Sequence, residues 1–451
     1  MSKTKRILSM ALSAVLGLSM MAGCKDSGTS SGGSSSGGSS GSGDSGNSGG
    51  GSSEGGSVYW LNFKPESDGV LQELATTYTN ETGVQVKVVT AASGTYDQTL
   101  LAEMDKSNPP TLFVIGNAEG AEKWNDWALD LTGTAIANEL NTDAYNIYSS
   151  AGKLVSIGYC FECFGIIVNP DLLVDAGYSL DDINNFESLK KVAEDIHSRS
   201  SELGFDAFTS NDMDSSSSWR YTGHMVNLEY YYEQNGTAWT ECPATITGEY
   251  MEYFKNLYDL CVENSTVERT ALATGGHDAA QEFNDKKAVF YVNGSWEWEG
   301  VKEAVPNATM IPYYCGVSGE ENAGLNSGTE NCWAINSKAS EADQKATMDF
   351  LVWLVSDPDA SRKAVDSFGA MPYKNAAEST NGFLAASDSY AADGCYVMNW
   401  ATNYQPNVDA YREVIVSALN AYNANPSDDT WAQVKTAVVD GWATQYTAVN
   451  G

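Results

Sequence analysis

The chain contains few basic residues and very few histidines. Among its 451 residues, Lys and Arg together number 25, whereas Asp and Glu number 59 and His only 3. The net charge of −34 argues against nucleic acid or an anionic lipid surface as a partner, because both would repel the chain. The three histidines, His197, His224 and His277, are too dispersed to indicate a metal cluster, and no cofactor is predicted.

Signatures of nucleotide binding and of common hydrolases are also missing. Outside the Gly/Ser-rich stretch near the N-terminus the sequence contains no GxSxG, and it contains no HExxH and no P-loop. The turn after the first predicted strand, 64–69, lacks the glycine spacing of a phosphate-binding loop. A pair of carboxylates for glycoside hydrolysis could lie among the 59 acidic residues, but no pair is distinguished by its spacing.

The cysteines predict neither a disulfide framework nor a metal site. Cys160 and Cys163 form a CxxC pattern, but strand periodicity places them on opposite faces, where they could not easily bridge or share a metal. Apart from Cys24 and this pair, the cysteines are scattered singly along the chain. We therefore expect all but Cys24 to act as small buried hydrophobic residues.

The N-terminus has the features of a bacterial lipoprotein signal. A basic start precedes an apolar run, 7–20, that is too short to be a stable membrane-spanning helix. Small residues then lead directly to Cys24, as they do at a lipoprotein cleavage site. Residues 1–23 are therefore predicted to be a signal peptide and Cys24 to carry the lipid anchor. The alternative is a secreted protein that is cleaved nearby and has an ordinary cysteine here.

The stretch that follows, 24–57, is almost entirely Gly and Ser after its first residues. Such a composition cannot bury apolar surface, so the sequence predicts a flexible linker that tethers a folded body to the membrane.

The folded body begins at Val58 and alternates two kinds of pattern. Strand patterns at 58–63, 83–89 and 112–115 alternate with the helical patterns at 70–79 and 96–106. This alternation predicts an α/β fold with a parallel sheet covered by helices. The length of the chain exceeds one ordinary core, so two lobes are expected.

The stretch 283–300 (FNDKKAVFYVNGSWEWEG) predicts a strand, a turn at Asn293-Gly294 and a helix that Ser295 caps. Trp296 would then stand at the carboxyl end of a strand, where open α/β sheets bind ligands. A flat side chain held there could stack on a flat, partly apolar ligand. The alternative is that Trp296 and Trp298 only pack in the core.

Another extended stretch, 152–169, carries Glu162 within an apolar environment. A carboxylate is costly to bury without a partner, so Glu162 is expected either at the mouth of a site or in a hydrogen bond. A ligand with hydroxyl groups would be a suitable partner. An ion pair at the end of a strand is the alternative.

The order of these stretches resembles the family 1 extracellular solute-binding proteins, the sugar-binding lipoproteins of ABC importers. In that family a Phe, a short basic turn, an apolar strand and Asn-Gly-Ser/Pro-Trp follow one another, as they do in 283–296. The stretches 83–115, 152–173 and 333–375 resemble, respectively, the first lobe, its crossing to the second lobe and the return. The cysteines of the crossing strand depart from the family pattern.

The resemblance implies two α/β lobes, each a sheet flanked by helices, with the ligand cleft at the hinge. Residues 58–160 and 333–372 would form lobe 1, and residues 161–332 and 373–451 would form lobe 2.

The resemblance also implies a set of sugar contacts. As in maltose-binding relatives, Trp296 would stack on a sugar ring and Glu162 would accept hydrogen bonds from hydroxyl groups. Lys64 and Asn117 would contact the sugar from lobe 1. On the second lobe the contacts would be Trp219, Arg220, Tyr221 and a second stacking tryptophan, Trp400.

The function implied is that of a monomeric, membrane-anchored protein on the outer face of the cell membrane, without enzymatic activity. It would bind a carbohydrate, in particular an oligosaccharide, and deliver it to the permease of an ABC importer. Two alternatives remain open. A binding protein for a polyamine or peptide would need convergent carboxylates, and a lipid-anchored glycosidase would need a carboxylate pair about 5 to 10 Å apart in the cleft.

Overall fold

A computed structural model of the chain describes residues 55–92, 95–214, 217–234, 239, 241–329 and 332–450. The predicted signal peptide, the predicted lipidation site at Cys24 and the predicted linker as far as residue 54 lie outside the described residues. The first strand starts at Ser57, one residue earlier than the predicted start of the folded body.

Short strands and longer helices alternate along most of the described chain. The strands are β1 (Ser57–Asn62), β2 (Gln85–Thr90), β3 (Leu112–Ile115), β4 (Ile147–Tyr148), β5 (Leu154–Ser156), β6 (Glu162–Val168), β7 (Asp206–Phe208), β8 (Ala288–Gly294), β9 (Thr309–Ile311), β10 (Ala323–Gly328), β11 (Cys332–Ile335) and β12 (Tyr396–Asn399).

The α-helices are α1 (Asp68–Thr82), α2 (Tyr96–Met104), α3 (Ala118–Trp124), α4 (Ala135–Glu139), α5 (Pro170–Asp175), α6 (Phe186–Ser198), α7 (Ser200–Leu203), α8 (Asn227–Glu233), α9 (Met251–Glu263), α10 (Ala279–Asn284), α11 (Trp298–Val301), α12 (Glu341–Ser356), α13 (Pro358–Phe368), α14 (Gly382–Ala392), α15 (Val408–Ala424) and α16 (Asp428–Asn450). Within the described ranges, six 3-10 helices and one π-helix lie between them. The 3-10 helices are Pro65–Ser67, Leu180–Asp182, Arg269–Thr274, Ser295–Glu297, Glu320–Asn322 and Ala401–Tyr404, and the π-helix is Arg220–Met225.

The first sheet has the strand order β11-β3-β1-β2. β1 pairs in parallel with β2 and β3, as the strand–helix alternation predicts, whereas β11 returns from far along the chain and pairs antiparallel to β3. Successive residues of β1 serve opposite faces of the sheet, since Trp60 packs in one core with Trp333 and Phe350 while Leu61 packs in another with Phe113. Helices therefore cover this sheet on both faces.

The second sheet has the order β12-β10-β6-β8-β7, with β9 also paired to β6. Its central strand, β6, is antiparallel to β8, β9 and β10. Each residue of β6 is buried, and alternate side chains enter two cores: Phe164 and Ile166 on one face, Cys163 and Ile167 on the other. Because both faces of β6 are covered, its sequence is a nearly continuous apolar run after Glu162.

The two sheets and their helices form two lobes, which confirms the predicted fold class. The chain passes between the sheets from β5 to β6, from β10 to β11, and again after α13. Isolated bridges between Ile157 and Trp333 and between Phe161 and Ala370 join strands of these passages. The exact lobe boundaries stay a prediction.

Most of the described cysteines are buried, as expected of small hydrophobic residues, whereas Cys242 and Cys395 are only half-buried. Cys160 packs in a core of the first lobe and Cys163 in a core of the second, so the CxxC pattern does not bring the two thiols together. All seven cysteines of the described chain are free thiols, and five of these are buried.

Among the described residues, none of the helices is both long and apolar enough to cross a membrane. No cluster of His, Cys, Asp and Glu in the same ranges could hold a metal ion.

Candidate functional site

The backbone around Trp296 differs in detail from the sequence prediction. β8 runs through Asn293 and Gly294 rather than turning there, and a 3-10 helix, Ser295–Glu297, follows it. Ser295 does not cap that helix. Its Oγ accepts a hydrogen bond from the backbone N–H of Cys163 at 3.1 Å, which ties the end of β8 to β6.

Gly294 allows the Trp296 ring to fold back over the strand. A Cβ at Gly294 would lie 2.1 Å from the ring, a distance at which one of the two groups must move. The absence of a side chain at Gly294 therefore leaves the space that the indole of Trp296 occupies.

Trp296 lines a cavity of about 780 Å³ between the two lobes. The first lobe contributes the connection from β1 to α1 and part of α13, and the second contributes side chains from four separate segments. The lining residues used below are Lys64, Glu66, Glu73, Glu162, Trp219, His224, Trp296, Glu297, Glu299, Lys363, Asp366 and Arg412. The predicted contacts Trp296, Trp219, Lys64 and Glu162 thus surround one cavity.

Three rings form one wall of this cavity. The centroids of Trp219 and Trp296 are 5.8 Å apart, and the His224 ring lies 5.1 Å from Trp219 and 5.2 Å from Trp296. Trp219 and Trp296 are half-buried, so each keeps some surface open to a ligand, while His224 lies deeper. Such a cluster offers apolar ring surface at the cavity wall.

The π-helix Arg220–Met225 explains why Trp219 and His224 share this wall. The N–H of Val226 donates to the carbonyl of Tyr221 at 2.9 Å, an i to i+5 bond. Residues five apart stand above one another in such a turn, whereas in an α-helix they would be rotated by about 140°. The contacts predicted here, Trp219, Arg220 and Tyr221, did not include His224, because no local sequence pattern indicates a π-helix.

Lys64 and Glu162 meet at the base of the cavity. The Nζ of Lys64 lies 2.6 Å from Oε1 of Glu162, and the two residues are 5% and 1% exposed. Burial alone would disfavour the charge of Lys64, but the adjacent Glu162 carboxylate outweighs it and raises the pKa of the lysine above its usual value. The ion pair that the sequence left open as the alternative for Glu162 is therefore present, and it joins the two lobes.

His224 is held neutral in this environment. Burial, together with the positive charges of Arg412, Arg220 and Lys64, keeps the pKa of His224 well below its usual value. A neutral imidazole can donate one hydrogen bond and accept one, which suits a hydroxyl group.

Arg412 reaches the cavity from α15 past a glycine. A Cβ at Gly223 would lie 2.8 Å from the guanidinium carbon, so a larger residue there would displace the guanidinium from its present position. The Nε of Arg412 donates to Oε1 of Gln405 at 2.7 Å, which fixes the direction of the side chain. No local sequence pattern indicated this residue, because it comes from a helix distant in the chain.

Arg220 and Tyr221, predicted as ligand contacts, lie behind the wall rather than in it. Arg220 is half-buried, with its guanidinium 5.2 Å from the Trp219 ring and 3.4 Å from the hydroxyl of Tyr291. Tyr221 is completely buried and packs edge-on against Tyr258 at 5.1 Å. Neither is among the described residues that line the cavity, so their positions suit support of Trp219 rather than contact with a ligand.

Asn117 and Trp400, the remaining predicted contacts, line a separate cavity of about 450 Å³. The side chain of Asn117 caps α3 by accepting from the N–H of Gly120 at 2.8 Å. The Trp400 ring stacks on Phe164 at 5.2 Å, and a Cβ at Gly328 would lie 2.9 Å from the indole. Trp400 is only 4% exposed, so little of its ring is open to a ligand, and its stacking role stays a prediction.

Two α/β lobes around an aromatic cleft define the class of two-lobed binding proteins. Residues 73–393 match the family model of bacterial extracellular solute-binding proteins, so the chain belongs to that family, as the sequence resemblance predicted.

Solved structures share the fold at low sequence identity. One is the solute-binding protein RafE in complex with raffinose, with 15% identity and a TM-score of 0.65 over 88% of this chain and 100% of that one. A second is a sugar transporter from Bacillus licheniformis in complex with stachyose, at 16% identity and 0.62 over 86% and 100%. A third is the GacH receptor of Streptomyces glaucescens, at 16% and 0.61 over 88% and 99%. No curated protein matches the chain.

Proposed function

We propose that this protein binds a carbohydrate, specifically an oligosaccharide, in the cleft between its lobes and delivers it to the permease of an ABC importer. The observation that supports the proposal most directly is the wall formed by Trp219, His224 and Trp296 opposite the buried charges of Lys64 and Glu162. The solved structures of RafE with raffinose and of the Bacillus licheniformis transporter with stachyose, which share the fold, are in line with it.

The chemistry of a sugar ring fits both sides of the cavity. One face of a pyranose consists of C–H groups that can cover an indole, and its rim carries hydroxyl groups. Trp296 and Trp219 are suited to the apolar face. Lys64, Glu162 and the neutral His224 are suited to the hydroxyl rim, since a hydroxyl both donates and accepts.

A polycation such as a polyamine fits the same cavity less well. Six acidic residues line it, namely Glu66, Glu73, Glu162, Glu297, Glu299 and Asp366. Most form an ion pair with a basic neighbour: Glu66 and Glu162 share Lys64, Glu73 pairs with Lys363, Glu299 with Lys302 and Asp366 with Arg362. The positive charge of Arg220 acts on Glu297. A polycation would have to displace these partners, whereas a neutral sugar would not.

A thermal-shift panel tests the proposal. The purified protein is heated with raffinose, stachyose, chitin oligosaccharides and maltose oligosaccharides, and separately with spermidine and short peptides. A ligand that binds only the folded state at 100 times its Kd stabilises the fold by about 2.7 kcal/mol, which raises the melting temperature. We expect a shift with at least one sugar and none with spermidine; a shift with spermidine alone would refute carbohydrate binding.

The location that we propose is the outer face of the cell membrane, with Cys24 as the anchor. The basic start, the apolar run and the small residues before Cys24 support it. Cys24→Ala should release the protein into the medium or block its processing, as fractionation and immunoblotting of the cells would show. A variant that stays membrane-bound and is cleaved normally would contradict the anchor.

A further inference from the structure

Carboxyl groups from the two lobes face one another across the first cavity. Glu66 and Glu73 line it from the first lobe, and Glu297 and Glu299 line it from the second. Acidic residues outnumber basic ones in each predicted lobe, and the chain carries a net charge of −34. Closure of the cleft therefore brings negative charges together, which favours the protonated form of a carboxyl group at the contact.

The pKa of Glu297 lies above its ordinary value of 4.5. Burial is the largest cause of the raised pKa, and the negative charge of Glu66 adds to it. The positive charge of Arg220 and hydrogen bonds with Tyr291 and Asn293 act in the opposite direction. These groups belong to different lobes, so opening of the cleft would change some of the contributions and not others.

The groups that favour the charged form of Glu297 belong to its own lobe. Tyr291 and Asn293 lie on β8, which leads directly into the 3-10 helix that carries Glu297. Arg220 begins the π-helix of the same lobe, and its guanidinium lies 3.4 Å from the hydroxyl of Tyr291. These three partners therefore move together with Glu297 and stay beside it in an open cleft.

The groups that favour the protonated form of Glu297 come in part from the first lobe. Glu66 lies on the 3-10 helix Pro65–Ser67, which follows β1. Lys64 is 3.6 Å from Glu66, but its Nζ is also 2.6 Å from Glu162, so two carboxylates share this positive charge. Opening would remove Glu66 and admit water to Glu297, while the partners on the second lobe remain. The pKa of Glu297 should therefore be lower in the open cleft than in the closed one.

We propose that sugar binding takes up a proton at Glu297, because the lobes close over the sugar and bring Glu66 against this carboxyl group. The inference rests on the proposed carbohydrate function. By linkage, the affinity for sugar is highest at pH values below the open-state pKa of Glu297 and falls as the pH rises through the higher closed-state pKa. A lower pH thus favours loading of the protein, and a higher pH favours release.

Calorimetric titration in several buffers tests the proposal, with the sugar of the panel that binds the wild type as the probe. The titration is repeated at pH 6 in phosphate, MES and bis-Tris, whose heats of ionisation differ. The dependence of the observed heat on the heat of ionisation gives the number of protons taken up per sugar bound. Glu297→Gln, which cannot titrate, should take up about 0.2–0.5 proton fewer than the wild type.

Matched variants identify the source of the proton uptake. Glu66→Gln removes the charge that the first lobe brings to Glu297, so it should also lower the uptake. Glu303→Gln, an exposed position outside the cavity lining, should leave it unchanged. Between pH 5 and pH 8 the wild type should lose about 3- to 10-fold more affinity than Glu297→Gln. His224 lines the same cavity and is unchanged in each variant, so these differences report on the carboxyl groups.

The remaining outcomes separate this inference from the function itself. If the wild type and Glu297→Gln bind the sugar with equal proton uptake, the inference is overturned but the function stands. If no panel sugar binds the wild type, both fail. Should Glu297→Gln melt much lower than the wild type, Glu66→Gln decides, because Glu66 is an exposed residue of the other lobe. Equal proton uptake by Glu66→Gln and the wild type would then overturn the inference.

Discussion

Two tryptophans only two positions apart have different environments. Trp296 lines the cavity and touches Trp219 and His224. Trp298 packs edge-on against Phe383 at 5.1 Å and belongs to a core of the second lobe. The sequence left both roles open for the pair. In the structure Trp296 lines the cavity, whereas Trp298 packs against a core of the second lobe, and the stacking role of Trp296 stays a prediction.

Trp296→Ala should therefore weaken sugar binding without destabilising the free protein. Loss of a ring that covers one sugar face costs about 2–4 kcal/mol, in the range of an aromatic hot spot. This corresponds to roughly a 30- to 1000-fold loss of affinity. Calorimetric titration and a melting curve on the same samples measure both quantities.

Trp298→Ala is the matched control, because it removes the same side chain from the core. It should lower the melting temperature, since truncation of a packed aromatic residue costs about 3–5 kcal/mol. If Trp296→Ala instead binds normally and melts much lower, Trp296 is a core residue.

A buried carboxyl group on α8 makes stability depend on pH. Glu229 is fully buried, and the carboxyl group of Glu233 and the backbone of Tyr250 lie beside its carboxyl group. Burial, and then the neighbouring carboxyl group of Glu233, raises the pKa of Glu229 from 4.5 to about 9. The folded protein thus keeps a proton that the unfolded chain releases, and stability falls as the pH rises from about 4.5 to about 9.

Glu229→Gln should remove this loss of stability. At pH 7 the variant should be more stable than the wild type by up to about 3 kcal/mol, and at pH 4 the two should be nearly equal. Urea unfolding at pH 4, 7 and 8.5 measures the difference, with the exposed Glu413→Gln as control. A gain that is the same at every pH would mean that titration of Glu229 is not its cause.

At the scale of elements, sequence patterns predicted many of the strands and helices but not the π-helix Arg220–Met225. The strand pattern at 112–115 matches β3 to the residue, because β-branched and aliphatic residues between polar turns define a buried strand. The π-helix Arg220–Met225 depends on packing rather than on local propensity. This helix places His224 at the cavity and Tyr221 in the core.

The join between β6 and β8 is the element that sets the position of Trp296. Ser295→Ala would leave the buried N–H of Cys163 without its acceptor, at a cost of about 1–3 kcal/mol. We expect a lower melting temperature together with weaker sugar binding, since Trp296 is the next residue. Ser295→Thr keeps the acceptor and should retain more of both; equal melting of Ser295→Ala and the wild type would show that this bond does not matter.

At the scale of the molecule, the alternation of strands and helices predicted the class of fold, but not how distant segments pair. β10 lies between β6 and β12, and β11 closes the first sheet, through pairings of high sequence separation that no local pattern contains. The same limit applies to the site. Lys64, Glu162 and Trp296 stand at strand ends and could be predicted, whereas Arg412 comes from a late helix and could not.

Two of the contacts between the lobes in the described part of the chain lie away from the aromatic wall and far from each other in sequence. One is the Lys64–Glu162 ion pair at 2.6 Å. The other joins α3 to the start of α15, where Oε2 of Glu119 accepts a hydrogen bond from the N–H of Asn407 at 3.1 Å. Asn407 has a left-handed backbone, with φ of 43°, which Asn tolerates better than most residues. A carboxylate at the N-terminus of a helix is also stabilised by the helix dipole.

These contacts predict that sugar binding and lobe closure are coupled. Solution scattering should show a smaller radius of gyration when the sugar that the panel identifies is saturating, because the ligand binds the closed arrangement more tightly than the open one. Glu119→Ala removes a closing contact without touching either cavity, so it should weaken binding by about 3- to 10-fold through the closure equilibrium alone. Glu122→Ala, on the same helix, is its control. If the radius stays constant at a saturation confirmed by calorimetry, the protein binds without hinge closure, and Glu119→Ala should then bind like the wild type.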